Sequence, residues 1–437
     1  MDKSIFVHID LAGKTHFVGR LWIKERRGIE TSTFEYSHKW RMAGISFPLE
    51  PALILGEGSY HTGKGLFGSI GDSAPDRWGC TLLNRQEARR AKIENRNARR
   101  LKYSDYLLMV DDRTRQGALR FSESKEGLFL TTHSNSSIPP LISLGSLLNA
   151  SQNVVMKEET DQNIKDLAEP GSSLGGARPK ATVIDKNNRL LIAKFPSPKD
   201  EWDVPLWEFL SLRMAKKVGI KVPEFALEKV LGKNVLLLDR FDRDISNYRI
   251  PFLSAMSMLN AQDHETRSYL EIKDSLIEYG SQTSKDLKEL WQRIVLNIMI
   301  SNIDDHLRNH GFLYEGKKGW ILSPVYDLEP TPEQVKARYL QTNINENDNT
   351  ASLEIAYGVA TDFGLNIAEA RELAKSVGEA VNDWKNEALR LGVTKQNIDF
   401  MHSAFEHDDL NQALKNKTVS KNNVIFQKKN SDDDDEN

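Results

Sequence analysis

Apolar and polar residues alternate in three runs near the start of the chain: SIFVHID (4–10), HFVGRLWI (16–23) and STFEYS (32–37). A period of two predicts short strands, here separated by turns rich in Gly, Lys and Arg. Residues 56–80 read as loop. Basic helical sequence then runs to about 121 and includes the apolar stretch YLLMV at 106–110. From 121 to 170 the chain is polar and weakly patterned, which predicts connections and small elements. No internal repeat is present.

The pattern restarts near residue 170. ATVID, a KNN turn and RLLIAKF predict a β-hairpin. WEFLSLRMAKKVGI predicts an amphipathic helix closed by Gly219, and NVLLLDRF (234–241) another strand. Leu287, Leu290, Trp291, Ile294 and Ile298 follow at helical spacing, with Thr283 and Asp286 read as a capping box. After SNIDDHLRNHGFL a second hairpin, FLY–EGKKG–WIL, ends at SPVYDLEP, and the last hundred residues are helical in pattern. Strands first and helices after predict an α+β protein, not an alternating βαβ fold.

Composition adds limits. At 437 residues the chain exceeds the roughly 250–300 that one core supports, so several domains are expected. With 39% hydrophobic and 28% charged residues it reads as soluble, and no apolar run approaches the ~18–20 residues of a membrane span. The N-terminal apolar stretch is too short and interrupted for a signal peptide. Cys80 is the sole cysteine, which excludes an internal disulfide and fits a cytoplasmic protein. A net charge of −3 gives no general attraction to nucleic acid. Residues 84–102 nevertheless hold eight Lys/Arg against Glu87 and Glu94, either a solvated helix face or a docking surface for nucleic acid or an acidic partner. The tail SDDDDEN is expected to be disordered.

Candidate chemistry is concentrated after residue 170. GSSLGGARPK (171–180) holds three glycines, two serines and two cations. Such a stretch is a surface turn or a loop whose backbone N–H groups cradle phosphate. In NIDDHLRN, Asp304 and Asn309 have the spacing of D-x-x-x-x-N, in which a carboxylate meets the attacking hydroxyl and an amide oxygen meets a metal. Asp327 follows in VYDL at the end of the hairpin, the place of a second metal ligand. Lys194 closes an apolar strand as in V-A-I-K, and Glu208 in the next helix is available as its partner. His306, between the key positions, is expected to be buried, hydrogen-bonded and loop-shaping. Each part alone is weak, but the order is that of a phosphoryl-transfer site. GSYHTGK (58–64) fits the first seven positions of a Walker A loop, yet Gly65 stands where the metal-binding hydroxyl belongs.

These motifs resemble those of HipA-like serine/threonine kinases, the toxins of bacterial toxin–antitoxin pairs. The resemblance spans nearly the whole chain, through GLFGSIGDSAPDRWG (65–79), SSLGGARPK, LLLDRFDR (236–243), NIDDHLRNHGFL, SPVYDLEP and GLNIAEA…VNDWKNEA. It implies a two-lobed kinase-like fold: an α+β N-terminal subdomain (1–122), a β-rich lobe with the phosphate loop (123–245), an all-helical C-terminal lobe (246–425) and an acidic tail (426–437). It implies Mg2+ and ATP as cofactors, catalysis by Asp304, and metal ligation by Asn309 and Asp327. Nucleotide contacts would come from Lys194, Gly175, Gly176, Ala177, Lys180, Glu208 and His306, with Asp239 and Phe241 at the adenine hinge. Ser173 or Ser172 would be autophosphorylated, silencing the enzyme. A separate helix–turn–helix, HipB-like antitoxin would link it to DNA, and an aminoacyl-tRNA synthetase would be the substrate. Two departures stand out: Asp239 where glutamate is common, and Pro179, which removes an amide donor. The alternatives are a lipid or small-molecule kinase and a catalytically silent co-repressor.

Overall fold

The computed structural model describes residues 2–130, 138–168 and 176–415. Ser172, Ser173, Gly175 and the acidic tail lie outside the described residues.

The first strands are β1 (Lys3–Leu11), β2 (Lys14–Arg26) and β3 (Ile29–Tyr36). With β4 (Ser59–Thr62) and β5 (Leu119–Ser122) they form an antiparallel sheet in the order β4-β3-β2-β1-β5. The β1–β2 turn places Ala12 and Gly13 at φ 49° and 76°, the two positive values that match the twist of a tight hairpin. Along β3 every second residue, Glu30, Ser32, Phe34 and Tyr36, turns inward. The Walker-like stretch falls on β4, an edge strand, and Lys64 donates to Asn260 O at 2.6 Å.

A second antiparallel sheet contains β6 (Lys180–Ile184), β7 (Leu190–Lys194), β8 (Phe225–Val230) and β9 (Lys233–Asp239), in the order β6-β7-β9-β8. Its faces separate by alternation. Val235 and Leu237 join Ala193, Trp78 and the helices Leu144–Met156 and Asp161–Ala168 in one cluster. Leu236 and Leu238 turn the other way, into the main core with Trp207 and Leu210 of the helix Val204–Lys217. Asp203 caps that helix by accepting from Leu206 N at 3.2 Å, and Gly219 at φ +83° follows its end.

Three expectations need correction. The segment 121–170 is more than connection: Leu144, Leu147, Leu148, Ser151 and Val154 form the buried stripe of a 13-residue helix, masked in sequence by its Gly, Ser and Asn residues. The C-terminal part is not all helical. β10 (Phe252–Ser254), β11 (Gly311–Tyr314) and β12 (Trp320–Leu322) make a three-stranded sheet, because β10 returns to pair with the hairpin. The helix Thr283–Met299 also lacks the expected capping box. Thr283 Oγ1 donates to Leu276 O at 3.1 Å, while the fully buried Asp286 accepts from Leu322 N and pairs with Lys221, both at 3.0 Å.

Most cations of 84–102 are matched inside the fold. Arg85 meets Glu159 at 2.8 Å, Arg96 meets Glu87 at 2.6 Å, Arg90 meets Glu94 at 2.7 Å, and Lys102 pairs with Glu25. The helix Arg77–Ile93, which carries Arg85, Arg89 and Arg90, packs against Asp161–Ala168, and Asp161 pairs with Arg89. Among the described residues no helix is long and apolar enough to cross a membrane.

Candidate functional site

Lys194 is the last residue of β7, and its side chain is 10% exposed. Its ammonium donates to Glu208 Oε1 and Oε2 at 2.6 and 2.8 Å, and also to Asp327. Glu208 comes from the first half of the Val204–Lys217 helix and additionally accepts from Asp327 N at 3.1 Å. Burial lowers the Lys194 pKa, yet Asp327 and Glu208 together hold it above the ordinary lysine value. The two carboxylates diverge. Burial dominates at Glu208 and raises its pKa, whereas at Asp327 the pull of Lys194 and then Lys180 outweighs burial and keeps the group ionised. Asp327 sits at φ 55°, a left-handed conformation that aspartate tolerates better than most side chains.

Asp304 and its neighbours follow the end of the Thr283–Met299 helix. The loop is tightened by His306 N and Asn309 N, which donate to Asp304 O at 2.9 Å and His306 O at 2.8 Å. Asp304 itself is exposed and accepts from Gln341 Nε2. Asp305 turns the opposite way, into the core. It accepts from Tyr269 Oη at 2.5 Å and Gln341 N at 2.8 Å, and burial raises its carboxyl to about 7. That inward turn leaves His306 half-buried on the cleft side. Contrary to expectation, its Nδ1 has no partner among the described residues. Asn309 donates through Nδ2 to Asp304 O at 2.9 Å, so its buried Oδ1 is likewise left without a donor.

Lys194, Glu208, Asp327, Asp304, His306 and Asn309 all line one cleft of about 500 Å3, together with Gly176, Ala177 and Lys180. Gly176 has φ +101°, and a Cβ there would lie 3.5 Å from Lys180 Nζ and 3.7 Å from Asp327 Oδ2. Asp239 and Phe241 are not among the described residues lining this cleft. Asp239 pairs with Arg189 at 2.8 Å, and Phe241 packs 5.4 Å from the Tyr326 ring. On the ladder Lys194 faces Leu236, three residues before Asp239, which places that position on the order of 10 Å along the sheet.

Four contributors were missed in the sequence. Arg178 bridges Asp200 at 2.7 Å and Glu329 at 3.1 Å, and burial lifts the Glu329 carboxyl to about 7 against the pull of Arg178. Asp76, from far upstream, holds Lys180 Nζ at 2.7 Å. Gln341 touches Asp304 from a loop with no recognisable pattern. Arg178 and Glu329 stand in the quoted motifs GARPK and YDLEP, and Asp76 in SAPDRW, so proximity to a motif was the available signal.

The donor set fits a hard cation. Asp327 is held ionised, and Asn309 presents an amide oxygen that has no donor among the described residues. Among the described residues no three His, Cys, Asp or Glu side chains cluster for a metal. A magnesium–nucleotide site does not require such a cluster, because phosphates and water complete its coordination.

The chain is similar to known proteins in sequence and in fold. Residues 172–384 match the family model described as HipA-like C-terminal domain. A Haemophilus influenzae protein named "Putative kinase" is 25% identical over 231 residues, 47% of this chain and 67% of that protein. "Putative kinase Y4dM" of Sinorhizobium fredii is 29% identical over 155 residues, 32% of this chain and 37% of that protein. Among solved structures, HipA of Shewanella oneidensis, in a complex with HipB and operator DNA, superposes with a TM-score of 0.65 at 17% identity. The match covers 94% of this chain and 96% of that one, and the two share a fold.

Proposed function

We propose that this chain, whose residues 172–384 match the HipA-like C-terminal domain model, is a Mg2+-ATP-dependent protein serine/threonine kinase. One observation carries the reading: a buried lysine held between two carboxylates shares a cleft with an amide oxygen that has no donor among the described residues. In this reading the β6–β9 sheet and the helical region beyond residue 246 act as two lobes. Asn309 and Asp327 would hold the metal, which supplies charge neutralisation on the phosphates. Lys194, oriented by Glu208, and Lys180 lie at the phosphate end, while Asp239 and Phe241 mark the adenine end.

Asp304 takes the proton of the acceptor hydroxyl as the oxygen bonds to the terminal phosphorus. The bond to the bridging oxygen breaks, and ADP leaves. The exposure of Asp304 supports this role, because the acceptor must reach it from solvent. His306, on the same wall, is available to the phosphates through its unpartnered nitrogen.

The remaining assignments belong to the same proposal. Phosphate on Ser173 or Ser172 would place a dianion in a loop built to bind anions, and so expel either the nucleotide or the loop. A helix–turn–helix partner of HipB type is supported by the Shewanella oneidensis complex of similar fold. A translation component such as an aminoacyl-tRNA synthetase is the proposed substrate.

The test is incubation of the protein with γ-labelled ATP, Mg2+ and a bacterial lysate. A discrete labelled protein bearing phosphoserine or phosphothreonine is expected, and Asp304→Asn should cut transfer by roughly 10²–10⁴-fold. Label confined to lipid or small molecules, or full transfer by the variant, would overturn the reading.

A further inference from the structure

The stretch GLFGSIGDSAPDRWG (65–79) lies outside the matched domain, and phosphoryl transfer as described assigns it no task. Its residues reach both the three-stranded sheet and the edge of the cleft. The Asp72 carboxylate accepts from Ser254 N at 2.7 Å and Ser254 Oγ at 2.8 Å, at the end of β10. Four residues on, Asp76 caps the helix Arg77–Ile93, accepting from Gly79 N at 2.6 Å, and pairs with Lys180 Nζ at 2.7 Å. Trp78 donates through Nε1 to Lys180 O at 2.9 Å and through its backbone N to Gly176 O at 3.3 Å. Lys180 Nζ also reaches Gly176 O at 3.3 Å. One helical turn thus fastens both ends of the segment Gly176–Lys180, the described remainder of the glycine-rich loop.

This ion pair is buried: the side chains of Lys180 and Asp76 are 4% and 5% exposed. A helix needs only an N-cap acceptor at this position, and serine, threonine or asparagine supplies one without a charge. A buried carboxylate facing a lysine that lines the cleft does more than cap, because it fixes where the ammonium stands.

We propose that Asp76 is a positioning residue for Lys180, so that nucleotide affinity in the 172–384 domain depends on a carboxylate from the N-terminal region. The inference rests on the Mg2+-ATP reading above. It differs from a purely structural role for the ion pair in one respect. A structural pair changes stability, whereas a positioning pair couples to nucleotide affinity and does so only through Lys180.

The experiment uses the full chain, trinitrophenyl-ATP with Mg2+ as fluorescent probe, and thermal melts run in parallel. Asp76→Asn keeps the cap and the side-chain size while removing the charge. It should weaken probe binding roughly tenfold, as expected for losing a hydrogen bond to a charged group, and raise KM for ATP with little change in kcat. Asp76→Asn combined with Lys180→Met should bind no more weakly than Lys180→Met alone. If Asp76→Asn does not fold, Trp78→Phe removes the indole donor to Lys180 O, with some loss of core packing that the parallel melts record, and should weaken binding by about threefold. Unchanged affinity in Asp76→Asn (or in Trp78→Phe, where that variant is used), or additive losses in the double variant, would overturn the inference alone. A wild-type chain that does not bind the probe would overturn the kinase reading and this inference with it.

Discussion

Two buried charge clusters lie at opposite ends of β9 and its neighbours, and they differ in what surrounds them. At one, Asp242 accepts from Arg240 at 2.5 and 2.6 Å, Arg243 at 2.8 Å and Gly117 N at 2.7 Å. The arginines spend further donors on chain carbonyls: Arg240 on Thr114 O at 2.9 Å and Arg243 on Arg115 O at 2.9 Å. No side-chain polar atom of Asp242, Arg240 or Arg243 is left buried without a partner among the described residues, and the cluster clamps the 111–117 loop to the end of β9. At the other, Lys194 is held as tightly by Glu208 and Asp327, but the cluster faces a cleft of about 500 Å3 where Asn309 Oδ1 and His306 Nδ1 have no partner among the described residues. Both clusters arise from motifs of similar character, LLLDRFDR and LLIAKF. Burial and ion pairing are common to the two, so neither marks function. What separates them is the unmatched polar atoms and the space beside them.

The sharpest break should come from Asp242→Ala. Leaving buried guanidinium groups without their carboxylate costs about 3–5 kcal/mol, and denaturant titration should record that loss, with activity failing only as the protein unfolds. An effect below 1 kcal/mol would mean the two clusters are not different in kind. Glu208→Gln should do the reverse. The amide oxygen still accepts from Asp327 N, so the midpoint should hardly move, while misplacement of Lys194 lowers kcat/KM for ATP on the order of 10²-fold. Equal losses of stability and activity would erase the distinction.

The smallest effect concerns pH. Asp305 carries a carboxyl raised from its ordinary 3.8 to about 7, so the folded state holds a proton that the unfolded state has released. Its contribution to stability is therefore full below about pH 4, declines as pH climbs and is lost above about 7, with a slope of at most about 1.4 kcal/mol per pH unit. Asp305→Asn should flatten the wild-type decline between pH 4 and 7 in thermal melts. A parallel decline would show that Asp305 ionises normally in the fold.

Legibility in the sequence followed the range of the interaction. Lys194, Glu208, Asp304, Asn309 and Asp327 each sit at or near the end of an element whose pattern is local, so their order along the chain could be read directly. The strands of the first sheet were legible for the same reason, through period-two burial such as that of β3. Asp76, Arg178 and Gln341 act across long separations that no periodicity records. The cations of 84–102 could be read as a solvated face or a docking surface because Glu159 and Glu25, which match several of them, are remote in sequence. Asp286 misled in another way: a polar residue three after a threonine imitates a cap, yet its burial commits it to Lys221 and Leu322. The Leu144–Met156 helix was hidden by residues that favour turns when exposed but pack well when the stripe beneath them is apolar.

The central claim is that the cleft beside Lys194 is a magnesium–nucleotide site. Calorimetric titration of ATP into the full chain, with and without Mg2+, compared between wild type and Asn309→Ala, tests it most directly. The account predicts one saturable site whose affinity rises with Mg2+ in the wild type, with that rise largely lost in the variant. ATP binding that is absent in the wild type, or equally Mg2+-dependent in Asn309→Ala, would contradict it.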